Sequence, residues 1–511
     1  MRKANDCIIV IFGGSGDLTR RKLIPALYQL YCQNLMPEKF FIIALGRKTF
    51  PNNTFRERMS ENLTDSGKKD PSKKKLLKGF LQTIHYQNLD SSESTDYLKL
   101  KKYLDDIVKI HQIPLKVLFY LAVPPDNFTL ITKNLAAQGL NIQQNEGEWK
   151  RIILEKPFGH DLNSAQTLNQ ALFKLFNEDQ IYRIDHYLGK ETVQNILAFR
   201  FSNAIFESLW NRNSIHHIEI TASENIGVGE RGAYYDQAGA LRDMIQNHLL
   251  QIVAIIAAEP PTHFDAGALH NEKVKIFNTI RPYTNEEILT SVIRGQYIAS
   301  KVRGSELKAY RDELNVDPQS KTETFVAMKF FIDNWRWGGV PFYIRTGKRL
   351  PTRVTEAVIH FQRVPHILFS QNNQGIIKDN RLVLRIQPDE GILLKFGMKL
   401  PGANFTIKDV DMDFHYSDIS DGIIPEAYER LLLDALLGDS TLYARADEVE
   451  ASWRFITPIL EAWKDNREMP LYGYPAGTWG PPEARNLFTE AEDDWRYPCK
   501  NLTGADNYCE L

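Results

Sequence analysis

The sequence predicts an α/β part built on a parallel sheet, followed by a larger part that joins helices to a mainly antiparallel sheet. Two observations carry this. Up to about position 185, continuous apolar runs alternate with stretches of helical periodicity. That is how strands buried on both faces of a helix-covered parallel sheet read. After about position 190 the alternation stops, and one long helical stretch precedes several short β-rich segments.

Taken in order, CIIVIF (7–12) is the first buried strand. RRKLIPALYQLY follows, with Leu23, Ala26, Leu27, Leu30 and Tyr31 at helical spacing. FFIIAL (40–45), KVLFYLAV (116–123), RIILE (151–155) and IYRID (181–185) are the further strands of this part. DNFTLITKNLAAQ and NSAQTLNQALFKLF are helices between them, the second with Asn163 as N-cap. The lysine-rich GKKDPSKKKLLKGF (67–80) reads as a solvated loop and helix start more readily than as a basic arm. In the second part, ALRDMIQNHLLQIVAIIAA (240–258) is one long helix. HHIEITASE, ETFVAMKFFI, EAVIHFQRV, RLVLRIQP and GILLKFGMK are strands. MPLYGYPAGTWGPPEA, rich in Pro, Gly and aromatics, is expected to wrap over the surface. No internal repeat or low-complexity tract is visible.

Composition narrows the function. A net charge of −2 over 511 residues gives no bulk attraction for nucleic acid or anionic membranes. No apolar run approaches the length of a membrane span. The opening MRKANDCIIVIFGGSGDL ends in a glycine turn and an acid, so it reads as a first strand and not a signal peptide. Four cysteines, Cys7, Cys32, Cys499 and Cys509, form no metal pattern and are too few for a disulfide framework. A reduced, cytoplasmic setting is expected, with no metal.

Four stretches could carry chemistry. IFGGSGDLTRRKL places Gly13, Gly14 and Gly16 between the first strand and first helix. Glycines there let the backbone approach a pyrophosphate, and the helix start offers free N–H groups. The spacing is not G-x-G-x-x-G, and such turns also occur as ordinary structure; the turn's place as the first of the parallel part favours the dinucleotide. Arg47, ending the second strand, stands where an acid would select NAD, so it points to a 2′-phosphate and NADP. It could equally be an exposed strand-end arginine, or stack on adenine without discriminating. Lys156 and Pro157 follow a strand on the edge where ligands bind in such sheets; a plain loop exit is the alternative, and the proline bond is a candidate for cis.

RIDHYLGKE (183–191) is the densest polar stretch. If Asp185 and His186 close a strand, they point to opposite faces and serve different partners. His186, Tyr187 and Lys190 are donors suited to a phosphate monoester, leaving Asp185 to orient another group; a charged loop is the bland alternative. His248 falls in register with Leu241, Met244, Ile245, Ile252 and Ile255. A histidine on such a stripe is usually core, but half-buried beside a carboxylate it is a general base. Asp185 is the candidate partner. Asp243, five residues before His248, should lie well round an α-helix from it and serve something else.

RIDHYLGKE, together with GGSGDLTRRKL, EKPFG, ALRDMIQNH and PFYIRTGKRL, resembles the glucose-6-phosphate dehydrogenase family, across nearly the whole chain. The resemblance implies an N-terminal Rossmann-like NADP-binding domain (1–185) and a larger β+α domain with a mainly antiparallel sheet for substrate binding and oligomerisation (186–511). It implies oxidation of D-glucose 6-phosphate at C1 to 6-phospho-D-glucono-1,5-lactone, in the oxidative pentose phosphate pathway. By the same resemblance His248 is the base and Asp185 orients it. His186, Tyr187 and Lys190 hold the phosphate, and Glu224 and Asp243 bind sugar hydroxyls. Lys348 and Arg353 close over the sugar, and Lys22 assists. Gly13, Gly14, Ser15, Gly16, Asp17, Leu18 and Arg47 bind NADP, and Lys156 sits near the nicotinamide beside a cis-proline position. Gly14 replaces a common alanine with no evident consequence. Arg385 and Lys395 resemble part of a second, structural NADP site, but the C-terminal end departs and that site is not expected. A homodimer or homotetramer is implied. Two other readings stay open: an NAD(P)-dependent sugar oxidoreductase that uses Lys156 directly, and a non-catalytic NADP-binding sensor.

Overall fold

The computed structural model describes residues 3–63, 71–143, 145, 147–364, 380–402, 405–418, 425–466 and 468–498. Cys499, Cys509 and residues 67–70 of the lysine-rich stretch lie outside these; its later part belongs to a helix, Pro71–Gln82. The chain divides into two compact units. One comprises residues 1–190, 262–270 and 425–450, the other 191–261, 271–424 and 451–511. The sequence reading placed a single boundary after 185; the two later returns to the first unit leave no local mark in composition.

The first unit is a sheet of β1 (Cys7–Phe12), β2 (Phe40–Gly46), β3 (Ile84–Asn88), β4 (Lys116–Leu121), β5 (Trp149–Leu154) and β6 (Ile181–Ile184). Tyr443–Ala444 adds a short antiparallel edge beside β6. The spatial order is Tyr443–Ala444, β6, β5, β4, β1, β2, β3, with β1 to β6 parallel. Every residue of β1 is buried, as its unbroken apolar run requires with strands on both sides and helices on both faces. Burial pushes the Cys7 thiol up to about 12, so it packs as an apolar residue. The strand order reverses at β1, whose neighbours are β2 and β4. That reversal opens a crevice at the carboxyl edge, where such sheets bind ligands.

Three expectations change here. β3 was missed: IHYQN buries only alternate residues, because it is an edge strand. The helix Leu162–Phe173 starts earlier than expected, since the N-cap is Asp161 and not Asn163. Asp161 Oδ1 accepts the Ser164 N–H at 2.7 Å, and Ser164 Oγ accepts the Asp161 N–H at 3.1 Å, a reciprocal cap that Asn163 cannot form. β6 ends at Ile184, and residues 185–190 form turns. The strand alternation argued for Asp185 and His186 therefore does not apply.

The helix Ala427–Leu437 belongs to the first unit. Arg151 Nη1 donates to the carbonyls of Ala435 and Leu436 at 2.7 and 2.9 Å, satisfying acceptors left open at its C-terminus.

The second unit holds β7 (Ile215–Ser223), β8 (Val292–Ile298), β9 (Phe325–Phe331), β10 (Pro341–Gly347), β11 (Val354–Phe361), β12 (Arg381–Gln387), β13 (Gly391–Lys399), β14 (Ile407–His415) and β15 (Tyr472–Pro475). They form one nine-stranded sheet in the order β14, β13, β12, β11, β7, β10, β9, β8, β15. Pairing is antiparallel except for β7 with β10 and β8 with β15. The five expected strands are all present. The long helix is not a continuous α-helix: Leu241–Leu249 is π-helical, and Leu250–Ala257 is α-helical. Gly239, at φ +69°, breaks the chain just before it.

Candidate active site

In the first unit the sequence-expected residues collect at the carboxyl edge of the parallel strands. Gly13 turns the chain after β1 at φ +78°, where a Cβ would lie 2.1 Å from the Ala122 carbonyl oxygen. Gly14 donates its N–H to the Leu45 carbonyl at 2.8 Å. A Cβ on Gly14 would lie 2.6 Å from that of Ala44. Its glycine therefore has a consequence: the turn packs directly onto β2. Gly16 N–H donates to Gly13 O at 2.9 Å, and Thr19 Oγ1 donates to the same oxygen at 3.1 Å. Helical backbone begins at Asp17 and Leu18, whose first N–H groups have no acceptor within the helix. Asp17 pairs with Arg21 at 2.8 Å. The turn is thus a cradle with its side-chain space removed, which suits a pyrophosphate.

Ser15 lies against the end of β2, just before Arg47. A Cβ on Gly46 would lie 3.3 Å from Ser15 Oγ, and Arg47, the next residue, is exposed. Asn88 Nδ2 donates to the Arg47 carbonyl at 2.7 Å, fixing the strand end while the guanidinium stays in solvent. An exposed guanidinium at the end of the second strand suits a 2′-phosphate.

Lys156 follows β5, and its bond to Pro157 is cis, as expected. Glu155 had not been singled out. Its Oε1 accepts the Tyr120 hydroxyl at 2.5 Å and the Tyr428 hydroxyl at 3.2 Å. Burial pushes this carboxyl up, while the two hydroxyls and the Lys156 charge oppose the shift. These contacts fasten the residue before Lys156 to two elements. Lys22 pairs with Glu426 at 2.8 Å.

After β6, Asp185 is only 3% exposed and its Oδ1 accepts the Tyr187 N–H at 2.9 Å. Further turns are closed by Leu188 N–H to Asp185 O and Lys190 N–H to Tyr187 O, each at 3.1 Å. His186, Tyr187 and Lys190 are gathered by this backbone. The His186 and Tyr187 rings are 5.1 Å apart, and Lys190 Nζ lies 4.2 Å from the Tyr187 ring centre. Arg183, first of the nine residues, is fully buried and bound to Glu178 at 2.8 Å, so its role is structural.

In the second unit β7, β10 and β11 bring three expected residues to one end of the sheet. β7 and β10 end side by side at Ser223 and Gly347, and β11 starts opposite Ser223 at Val354. Glu224 and Lys348, each one residue further, form an ion pair. Their backbones are linked as well: Glu224 N–H donates to Gly347 O, and Leu350 N–H to Glu224 O, both at 3.0 Å. Arg353 is exposed just before β11, and its neighbour Thr352 accepts the Ser223 hydroxyl through its carbonyl. Lys348 Nζ also lies 5.3 Å from the Tyr235 ring centre.

His248 and Asp243 lie on the π-helical segment. His248 is 1% exposed and Asp243 8% exposed, deeper than the half-buried base expected. An i→i+5 ladder winds more slowly than an α-helix, so residues five apart lie nearer one side of it than they would on an α-helix. Asp243 and His248 are five apart and therefore share a side, contrary to the α-helical expectation. Tyr234 donates its hydroxyl to Asp243 Oδ1 at 3.2 Å; burial, then the Asp243 charge, pushes that phenol up, so it stays a donor. Tyr234 was missed because nothing in GAYYDQ separates a donor from a packing ring.

Two family models match the chain: one described as the glucose-6-phosphate dehydrogenase NAD binding domain over residues 10–195, and one described as the C-terminal domain over residues 197–496. The chain is 49% identical to glucose-6-phosphate 1-dehydrogenase of Aggregatibacter actinomycetemcomitans, over 97% of this chain and 98% of that one. It is 48% identical to the Treponema pallidum enzyme of the same name, over 99% and 98%. A solved glucose-6-phosphate dehydrogenase in complex with its substrate glucose-6-phosphate superposes with a TM-score of 0.87 at 36% identity, over 96% of this chain and 100% of that one. The Mycobacterium avium enzyme superposes at 0.81 with 34% identity, over 98% and 99%.

Proposed function

The chain belongs to the glucose-6-phosphate dehydrogenase family, and from that premise we propose that it oxidises D-glucose 6-phosphate at C1 to 6-phospho-D-glucono-1,5-lactone with NADP. The observation that carries this reading is the resemblance over the whole chain, together with the donor set His186, Tyr187 and Lys190 held in one turn.

The residues act as follows. His248 takes the proton of the C1 hydroxyl, which is too weak an acid to ionise unaided. Asp185 fixes the imidazole tautomer and stabilises the imidazolium. His186, Tyr187 and Lys190 bind the unreactive phosphate, which orients C1 and lowers the barrier through positioning alone. Glu224 and Asp243 bind sugar hydroxyls, and Lys348 and Arg353 close over the sugar. The Glu224–Lys348 pair offers an acceptor and a donor together, and Lys22 assists. Gly13, Gly14, Ser15, Gly16, Asp17, Leu18 and Arg47 hold NADP, with Lys156 beside the nicotinamide. When bound, NADP supplies the hydride acceptor.

Residues 1–185 serve the coenzyme and 186–511 the sugar and assembly. A homodimer or homotetramer is supported by the outer strand β14, which ends the sheet with Met412 and Phe414 exposed, and by Met398, exposed further along the neighbouring β13. A cytoplasmic place in the oxidative pentose phosphate pathway fits the free thiols of Cys7 and Cys32. No helix among the described residues is long and apolar enough to cross a membrane.

Mixing the protein with NADP and glucose 6-phosphate should yield NADPH; no NADPH would favour a non-catalytic sensor. Arg47→Ala should weaken NADP binding by about 1–3 kcal/mol, the worth of a charged hydrogen bond, and NAD binding much less. Titration with both coenzymes checks this, and an unchanged NADP:NAD ratio counts against the 2′-phosphate contact.

A further inference from the structure

We infer that Glu323 is a positioning residue, which sets the helix carrying Asp243 and His248 in register with the Lys348 end of the sheet. The inference rests on the proposed roles of those three residues.

Glu323 precedes β9 and is 4% exposed. It holds the start of the π-helical segment twice. Its carbonyl accepts the Ala240 N–H, and its Oε1 accepts the Leu241 N–H, each at 3.0 Å. Those are donors that a helix start leaves without internal acceptors. Gly239 makes room for this. A Cβ there would lie 2.3 Å from Glu323 Oε1, and its φ of +69° disfavours a side chain independently. Burial pushes the Glu323 carboxyl up, and the Leu241 N–H with the charges of Arg242 and Arg294 opposes that.

The next residue holds the other side. Thr324 O accepts the Lys348 N–H at 2.9 Å. Tyr474 donates its hydroxyl to Lys348 O at 2.8 Å and lies 3.0 Å from Thr324 Oγ1. Glu323 and Thr324 therefore join the helix start to the backbone of Lys348 through two adjacent residues. The loop before them is itself fixed, since Thr322 Oγ1 donates to Asp236 O at 2.6 Å and Ser320 Oγ to Asp236 Oδ1 at 2.5 Å. A buried acid reaching a free N–H, next to a residue that holds Lys348, is an arrangement for registry. A small displacement at this joint moves the base and the sugar-binding groups relative to each other, which is costly in rate.

The test is steady-state kinetics of full-length Glu323→Asp, Glu323→Gln and Glu323→Ala with glucose 6-phosphate and NADP. Asp keeps the charge but loses the reach to Leu241; Gln keeps the reach but loses the charge. Asp and Ala should lose on the order of 10- to 100-fold in kcat/KM for the sugar phosphate, the size expected of a misplacement near 1 Å. KM for NADP should stay within about twofold, and Gln should recover to within about threefold of wild type. Should Ala fail to fold, the Asp and Gln pair carries the same comparison. Wild-type rates in Asp, equal losses in Asp and Gln, or a matching rise in KM for NADP would overturn the inference. A wild-type protein that makes no NADPH from glucose 6-phosphate overturns the functional reading instead.

Discussion

Replacing His248 with Asn is expected to lower kcat for glucose 6-phosphate by on the order of 10²–10⁴, the contribution of a positioned general base. KM for both substrates should change little. Asn occupies similar space and keeps polar atoms for the buried site, in which His248 is 1% exposed, but it cannot take a proton near neutral pH. The lost term belongs to the transition state, so it appears in kcat and kcat/KM together. The pH profile gives a second reading. A base works only when unprotonated, so wild-type kcat should fall on the acid side as the imidazole charges, and the Asn variant should lack that limb. Asp185→Asn should fall in the same direction, since a neutral partner no longer stabilises the imidazolium. The rival is a sugar oxidoreductase that uses Lys156 directly. If His248→Asn keeps near-normal kcat while Lys156→Ala abolishes it, the base has been misassigned and the rival stands.

The elements that sequence resolves well are those whose pattern is set by burial on both faces. CIIVIF, FFIIAL and RIILE read as central strands, and the carboxyl-edge positions of Ser15, Arg47 and Lys156 follow from those three runs. Edge strands are harder. IHYQN of β3 and IKDVDMDFH of β14 spend half or more of their residues on solvent and read like loops. The π-helical turn under Asp243 and His248 has no compositional mark, because an i→i+5 ladder uses the same residue types as an α-helix. Reading it as α put Asp243 on the wrong side. Glu323 and Glu155 were invisible for another reason. A buried acid is identified by the hydroxyl or N–H groups that reach it, and those come from residues 82 and 273 positions away.

Lys190→Ala is expected to cost glucose 6-phosphate about 10- to 100-fold in kcat/KM, the equivalent of 1.5–3 kcal/mol for a hydrogen bond to a charged group. Free glucose should lose almost nothing. The turn after β6 holds the ammonium 4.2 Å from the Tyr187 ring centre, which restricts the side chain before any ligand arrives. A cation over an aromatic face gains modestly from the contact, which favours this placement of the ammonium. Alanine removes the charge and leaves the backbone turn, because that turn is built from the N–H of residue 190 and the carbonyl of Tyr187. The expected damage is therefore confined to the phosphate. The phosphate takes no part in bond making, so its loss is felt through orientation of C1. With glucose that orientation is already absent, and Lys190 has nothing left to contribute. Losses of equal size on both sugars would mean that Lys190 supports the fold of the turn and that the phosphate is bound elsewhere.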